Sequence, residues 1–189
     1  MHLTGRRDKL NIIEKIAMRV VIQRVHHASV SVAGKTVGEI DRGLMILVGI
    51  ETADRAEQVD YCVRKVANAR LWSSSDEVDG SASPRARDEW RRSVCDIKGG
   101  ILVISQFTLM GNVKKGNKPD FHHAMPPTPA RELFDSFVAK LRATAPQCLI
   151  QTGSFGEYMK IDMSADGPVT IVLDTALMMA PIVAQSPVM

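Results

Sequence analysis

With 189 residues, 45% of them apolar, the chain is long enough for one domain with its own core and too apolar for a mainly disordered protein. Its 24 Lys and Arg against 21 Asp and Glu leave a net charge of +3, which allows a polyanionic partner but is far from the charge of a nucleic-acid-coating protein. No apolar run approaches the roughly 18 to 20 residues of a membrane helix, and Cys62, Cys95 and Cys148 form no C-x-x-C pair; this excludes a disulfide framework or zinc knuckle and leads us to expect a soluble, cytoplasmic protein without membrane contact.

Residues 1–17 carry basic residues and a weak apolar spacing at Leu10, Ile13 and Ala17, without the apolar block of a secretory signal. Two readings stand: a mitochondrial presequence, or a frayed extension ahead of an alternative start at Met18. Residues 18–25 (MRVVIQRV) and 28–32 (ASVSV) are rich in β-branched residues, and Ala33-Gly34-Lys35 is a turn before a third run at 36–40, which predicts short strands joined by tight turns. Residues 43–50 (GLMILVGI) are apolar without alternation, as in a central strand covered on both faces.

From Asp54 the period changes. Val59, Cys62, Val63, Val66 and Ala67 mark an amphipathic helix to about Leu71, with Asp54 and Glu57 placed as an N-terminal cap. Residues 73–92 read as an exposed loop, either a solvated insertion or, through Arg85, Arg87, Arg91 and Arg92, a polyanion contact. A buried strand at 101–104 runs through Ser105-Gln106 into Phe107-Thr108-Leu109. A second helix is predicted with Thr128 as N-cap, Pro129 in its first turn, an apolar face at Leu133, Phe134, Phe137, Val138 and Leu141, and Pro146 as its stop. Strands at 149–152, 158–163 and 169–173 follow, then an apolar, Met-rich tail at 176–189. Helices and strands do not alternate regularly, so the fold class is α+β, β-rich, with two main helices in a single domain at 18–175.

Phosphate-loop, dinucleotide, zinc-protease and nucleophile-elbow motifs are all missing. The pairs His26-His27 and His122-His123 are poor metal ligands, because neighbours on an extended chain point apart; no metal is expected. Two segments break local rules. Ser105, Gln106 and Thr108 end an otherwise buried strand, where unsatisfied polar groups each cost about 1 to 3 kcal/mol; they either line a pocket or are satisfied by backbone. Gly167-Pro168 interrupts two strand-like runs, as an ordinary turn or as a place where carbonyls approach a ligand.

Together these segments resemble the D-aminoacyl-tRNA deacylase family, whose marks are Ser-Gln-Phe-Thr and Asn-x-Gly-Pro-x-Thr. The resemblance extends over about residues 18–175, through MRVVIQRVHHASVSVAGK, GLMILVG, NARLW, GGILVISQFTL, KKGNKPDFHHA and TGSFGEYMKIDMSADGPVT. Ala165 stands where the family usually has Asn, the 73–92 loop is longer than usual, and both termini are extended.

The resemblance implies hydrolysis of the ester joining a D-amino acid to tRNA, with glycyl-tRNA as a further substrate, by a homodimer that needs no cofactor. Its site residues would be Ser105, Gln106, Phe107 and Thr108 from one chain, facing Gly167, Pro168, Val169 and Thr170 from the other. Gly167-Pro168 would be a cis peptide whose carbonyls collide with an L side chain, giving specificity by rejection. Amide N–H groups at Gln106 to Thr108 would stabilise the oxyanion and the ribose 2′-OH would orient or activate the water. Thr108 is the alternative as a hydroxyl nucleophile, though no adjacent base is evident. Lys114, Lys115 and Lys118 either meet phosphates of the aminoacyl-tRNA 3′ end or form a solvated loop. Competing readings are a deacylase for mischarged L-aminoacyl-tRNA and an inactive nucleic-acid-binding homologue.

Overall fold

A computed structural model describes residues 17–74, 89–114 and 116–178. Its centre is a mixed sheet in the order β2-β1-β3-β6-β7, with β8 on the other edge of β1. β1 (Arg19–Val32) is one strand, not the two that a break near His26 predicts. It stays extended because it is paired on both sides: β3 (Gly43–Gly49) lies along its first half, β2 (Lys35–Ile40) along its second, and β8 (Lys160–Asp174) along nearly all of it.

β8 is likewise one strand and not two. Thr170 pairs with Gln23 and Ala165 with Val25, so the four residues 166–169 stand opposite Arg24 alone. Gly167-Pro168 therefore sits in a wide bulge within a ladder and is no turn between separate strands.

β6 (Gly100–Ser105) runs parallel to β3, and β7 (Leu149–Thr152) parallel to β6. Parallel neighbours need crossovers, which α1 (Ala56–Asn68) and α2 (Pro127–Thr144) supply. Their apolar stripes, among them Val59, Val63, Val66, Phe134, Phe137 and Leu141, pack with Ile22, Ile46, Ile101 and Val103 in the larger core. The opposite face is covered by the curl of the sheet itself. β2 comes back over β7, so that a Cβ on Gly38 would stand 2.6 Å from Thr152 O, and Ile40, Met45, Leu102 and Ile104 form a second core there. This double cover is why 43–50 is apolar without alternation.

Both helices start differently from the prediction. The N-cap of α1 is Arg55, whose N–H donates to Gln58 Oε1 at 2.9 Å. Asp54 is occupied elsewhere: its buried carboxylate accepts from Met18 N at 2.9 Å and Glu51 N at 2.6 Å. α1 ends at Asn68, and Leu71 belongs to β4 (Arg70–Trp72), which pairs with β5 (Arg92–Ser93). That ladder closes the base of the 73–92 loop, with Ser73 buried and Arg92 in a strand; residues 75–88, including Arg85 and Arg87, lie outside the described residues. α2 begins at Pro127 behind Pro126, a first turn where a missing amide hydrogen costs nothing, and not behind a Thr128 cap. Residues 1–16 and 179–189 lie outside the described residues, and the tail opens with a short helix, α3 (Thr175–Met178).

Burial pushes the Asp54 carboxyl up to about 6 from 3.8, against the opposing amide bonds from Glu51 and Met18. The folded chain therefore binds a proton there that the unfolded chain has released, and this contribution to stability falls as pH rises from 4 through 6. Denaturant unfolding at a series of pH values should show that decline in the native chain and its loss in Asp54→Asn; identical slopes in both would place the titration elsewhere.

Candidate functional site

The parallel pair β3 and β6 delivers the first cluster. Ser105 ends β6 opposite Val48, and Gln106 N–H donates to Val48 O at 2.8 Å. That amide is committed to the sheet, so of the amides the sequence reading expects as oxyanion donors Gln106 is not available. The chain then folds into a 3-10 turn at Phe107–Met110 and does not continue extended as the sequence suggests, with Gly111 N–H donating to Thr108 O at 2.9 Å. The turn lies close against the end of β3, where a Cβ on Gly49 would stand 2.7 Å from Leu109 Cβ.

Gln106 Nε2 donates to Thr108 Oγ1, with Gln106 half-buried and Thr108 exposed. An amide N–H cannot take a proton, so this contact does not activate Thr108 as a nucleophile; it leaves the threonine O–H to donate outward. Phe107, 59% exposed, meets Phe121 edge to face at 5.1 Å. Phe121 follows a loop whose base is closed by two backbone bonds between Asn112 and Asp120, at 2.9 and 2.8 Å. Lys114 and Lys118 are exposed on this loop, and Lys115 lies outside the described residues. Phe121, which the sequence reading includes in the KKGNKPDFHHA block without giving it a role, ties the lysine loop to the turn at Phe107.

The His122-His123 stretch is a turn and not extended, so the two rings lie against one another at 3.8 Å, contrary to the expectation that they point apart. His122 Nδ1 sits 2.6 Å from Asp120, and the amide and imidazole of His122 hold the Asp120 carboxyl below its usual range. His27 pairs with Glu39 at 2.9 Å. Among the described residues, no three His, Cys, Asp or Glu side chains group as metal ligands.

The bulge of β8 forms the second cluster. Gly167-Pro168 is a cis peptide, Gly167 has φ of +126°, and Gly167, Pro168 and Thr170 are exposed while Val169 packs on the core. The bulge is anchored through Asp166. Arg24 Nη2 donates to Asp166 Oδ1 at 3.1 Å, its Nε lies 3.1 Å from Oδ2, and its Nη1 donates to Leu71 O. His26 Nε2 stands 3.7 Å from the same carboxylate. With Ala165 offering no polar side chain, the Arg24–Asp166 pair adds a side-chain tie to the ladder pairing on either side of the bulge. Sequence reasoning missed Arg24, although the signal exists: it breaks the inward series Val20, Ile22 on β1.

The two clusters do not meet within one chain. β1 and β3 separate β8 from β6, a gap of three strand spacings or about 14 Å across the sheet. A cleft of about 410 Å³ between α2 and residues 152–155, where Arg131 stacks on Phe155 at 4.7 Å, contains neither cluster.

The curled mixed sheet, two crossover helices on one face and paired polar clusters define a fold found in solved structures. The chain superposes with a TM-score of 0.72 on the structure described as "c-Myc DNA Unwinding Element Binding Protein", at 42% identity over 82% of this chain and 97% of that one. It matches the fold of a probable eukaryotic D-amino acid tRNA deacylase at a TM-score of 0.68, with 18% identity over 83% and 98% of the two chains. It is 48% identical to D-aminoacyl-tRNA deacylase 1 of Leishmania major and 43% identical to D-aminoacyl-tRNA deacylase of Yarrowia lipolytica, each over 84% of this chain and 97% of the relative. Residues 21–174 match the D-Tyr-tRNA(Tyr) deacylase family, and the chain belongs to that family.

Proposed function

We propose that this chain hydrolyses D-aminoacyl-tRNA to free D-amino acid and tRNA, as chiral proofreading in translation, with residues 18–175 as the deacylase domain and the cytoplasm as its place of action. The observation that carries this reading is the presence, in a member of this family, of a Ser105–Thr108 segment that brings Phe107 and Thr108 to the surface together with an exposed Gly167-Pro168 bulge held by Arg24. Their separation by two strands supports a site completed by a second copy: Ser105, Gln106, Phe107 and Thr108 from one chain, Gly167, Pro168, Val169 and Thr170 from the other. The exposed Met163 and Val172 on β8, with Tyr158 94% exposed just before it, offer apolar surface for that homodimer.

In this reading a water oxygen attacks the ester carbonyl. Amides of Phe107 and Thr108 stabilise the resulting oxyanion, the ribose 2′-OH orients the water, and the bond to the ribose 3′ oxygen breaks as that oxygen takes a proton. Ser105 and Gln106 position adenosine and ester, Phe107 packs against the base, and Lys114, Lys115 and Lys118 meet phosphates of the acceptor end. Discrimination works by collision of backbone carbonyls with an L side chain, so a glycyl ester, which has none, is accepted.

Purified protein given matched D-, L- and glycyl-tRNA should cleave the D and glycyl esters and leave the L ester at least about a hundredfold slower. Equal rates on the enantiomers would sink the proposal. Thr108→Ala should cost only about tenfold in single-turnover rate, the worth of one hydrogen bond. Complete loss in a folded variant, with an acyl-enzyme trapped in the native protein, would instead make Thr108 the nucleophile.

A further inference from the structure

Cys95 and Cys148 are 53 residues apart in the sequence and adjacent in space, in a region the proposed site does not use. Cys95 lies in the turn between β5 and β6. Cys148 immediately precedes Leu149, which pairs with Gly100 at the start of β6. Their sulfurs are 3.9 Å apart, with the Cys148 S–H placed to donate to Cys95 Sγ, and Cys148 Sγ also lies 3.7 Å from Val94 O, an alternative acceptor for that one hydrogen. Both are partly exposed free thiols, whereas Cys62 is fully buried in the core.

We propose that Cys95 and Cys148 are a peroxide-oxidisable pair that closes to an intramolecular disulfide, tying the turn before β6 to the start of β7. Closure needs the sulfurs to approach by roughly 2 Å, within the reach of side-chain rotation on two surface turns. Cys95 reacts first, because it accepts the S–H of Cys148 and that contact favours its thiolate. The thiolate attacks hydrogen peroxide, gaining one oxygen as sulfenic acid and releasing hydroxide. The Cys148 thiolate then attacks the Cys95 sulfur, forms the S–S bond and expels the second hydroxide. The two thiol protons convert both hydroxides to water, so two thiols lose two electrons and one peroxide gains them.

Burial raises both thiols, Cys148 to about 12. Oxidation is therefore slow at neutral pH and accelerates as pH rises, the behaviour of a staple and not of a fast peroxide sensor. The bond would close a long loop, which constrains the unfolded chain and raises the melting temperature. It lies at the opposite end of β6 from Ser105, so catalysis at low temperature should be unchanged.

The test is incubation of the full chain with hydrogen peroxide at pH 7 and pH 9, followed by non-reducing peptide mapping and thermal unfolding with and without dithiothreitol. The expected result is one cross-linked peptide containing Cys95 and Cys148, formed faster at pH 9, with a reductant-reversible rise in melting temperature of about 5 °C or more. Cys95→Ser and Cys148→Ser should each abolish the rise. Sulfinic acid at either residue without the cross-link, or disulfides only between chains, would overturn the proposal; the mapping uses the native protein and does not depend on how the variants fold.

Discussion

Gly167→Val is expected to lower hydrolysis of D-aminoacyl-tRNA by roughly a hundredfold or more, the cost when a displaced bulge shifts the bound ester by about 1 Å from its place in the site. At φ of +126° a side chain is strained, and a Cβ there would stand 2.7 Å from Val169 N and 2.9 Å from Val169 Cγ2. Backbone must move, and the backbone that moves is the proposed filter. The damage should stay local, because β8 is paired with β1 on both sides of the bulge and Gly167 is exposed. Circular dichroism and thermal unfolding should therefore resemble the native chain. A native rate in the folded variant would remove the bulge from the site. Mixing this variant with Gln106→Ala then asks where the bulge acts. Each homodimer should be inactive, whereas a mixed dimer pairs one sound turn with one sound bulge. About a quarter of native activity should return after random exchange, by symmetry. Mixed dimers without activity would confine the bulge to its own chain.

Gly43→Ala should destabilise the fold by about 3 kcal/mol or more, lowering the melting temperature by roughly 10 °C. Gly43 and Gly100 face each other at the start of the parallel pair β3 and β6. A Cβ on Gly43 would fall 1.9 Å from Gly100 O and 2.7 Å from Gly100 N, while Gly100 N–H donates to Arg42 O at 3.0 Å. Every close atom is backbone, so the strands themselves must separate. Both faces of this pair are packed, by α1 and α2 on one side and the curled sheet on the other, which leaves no direction for relief. Urea unfolding decides the matter: a loss under about 1 kcal/mol would mean that the strands part easily.

What could be read from the sequence was what depends on neighbours along the chain. The stripe Val59, Cys62, Val63, Val66, Ala67 forms the buried face of α1, and the unalternating 43–50 run is a doubly covered strand. α1 starts one residue later than the sequence predicts because the Asp54 carboxylate is taken by Met18 N and Glu51 N, and no local pattern announces a partner 36 residues away. The breaks that the sequence suggests at His26-His27 and at Gly167-Pro168 do not end strands for the same reason: β1 and β8 support one another across both points. In the candidate site, the two motif blocks were visible as segments, but Arg24 and Phe121, which orient them, act through contacts with Asp166 and Phe107 that only the fold creates.

The union of β1 with β8 also has a temporal meaning. Arg19 and Asp174 are bonded across 155 positions, so β1 waits for a partner strand made some 155 residues after it. At translation speeds of about 5 to 20 residues per second, β1 spends on the order of ten seconds or longer with a bare edge. Its other edge can be satisfied early by β2 and β3, which are made within seconds of it. Nascent chains of this protein thus pass through a long interval with one edge of β1 unpaired and open to pairing with a neighbouring copy.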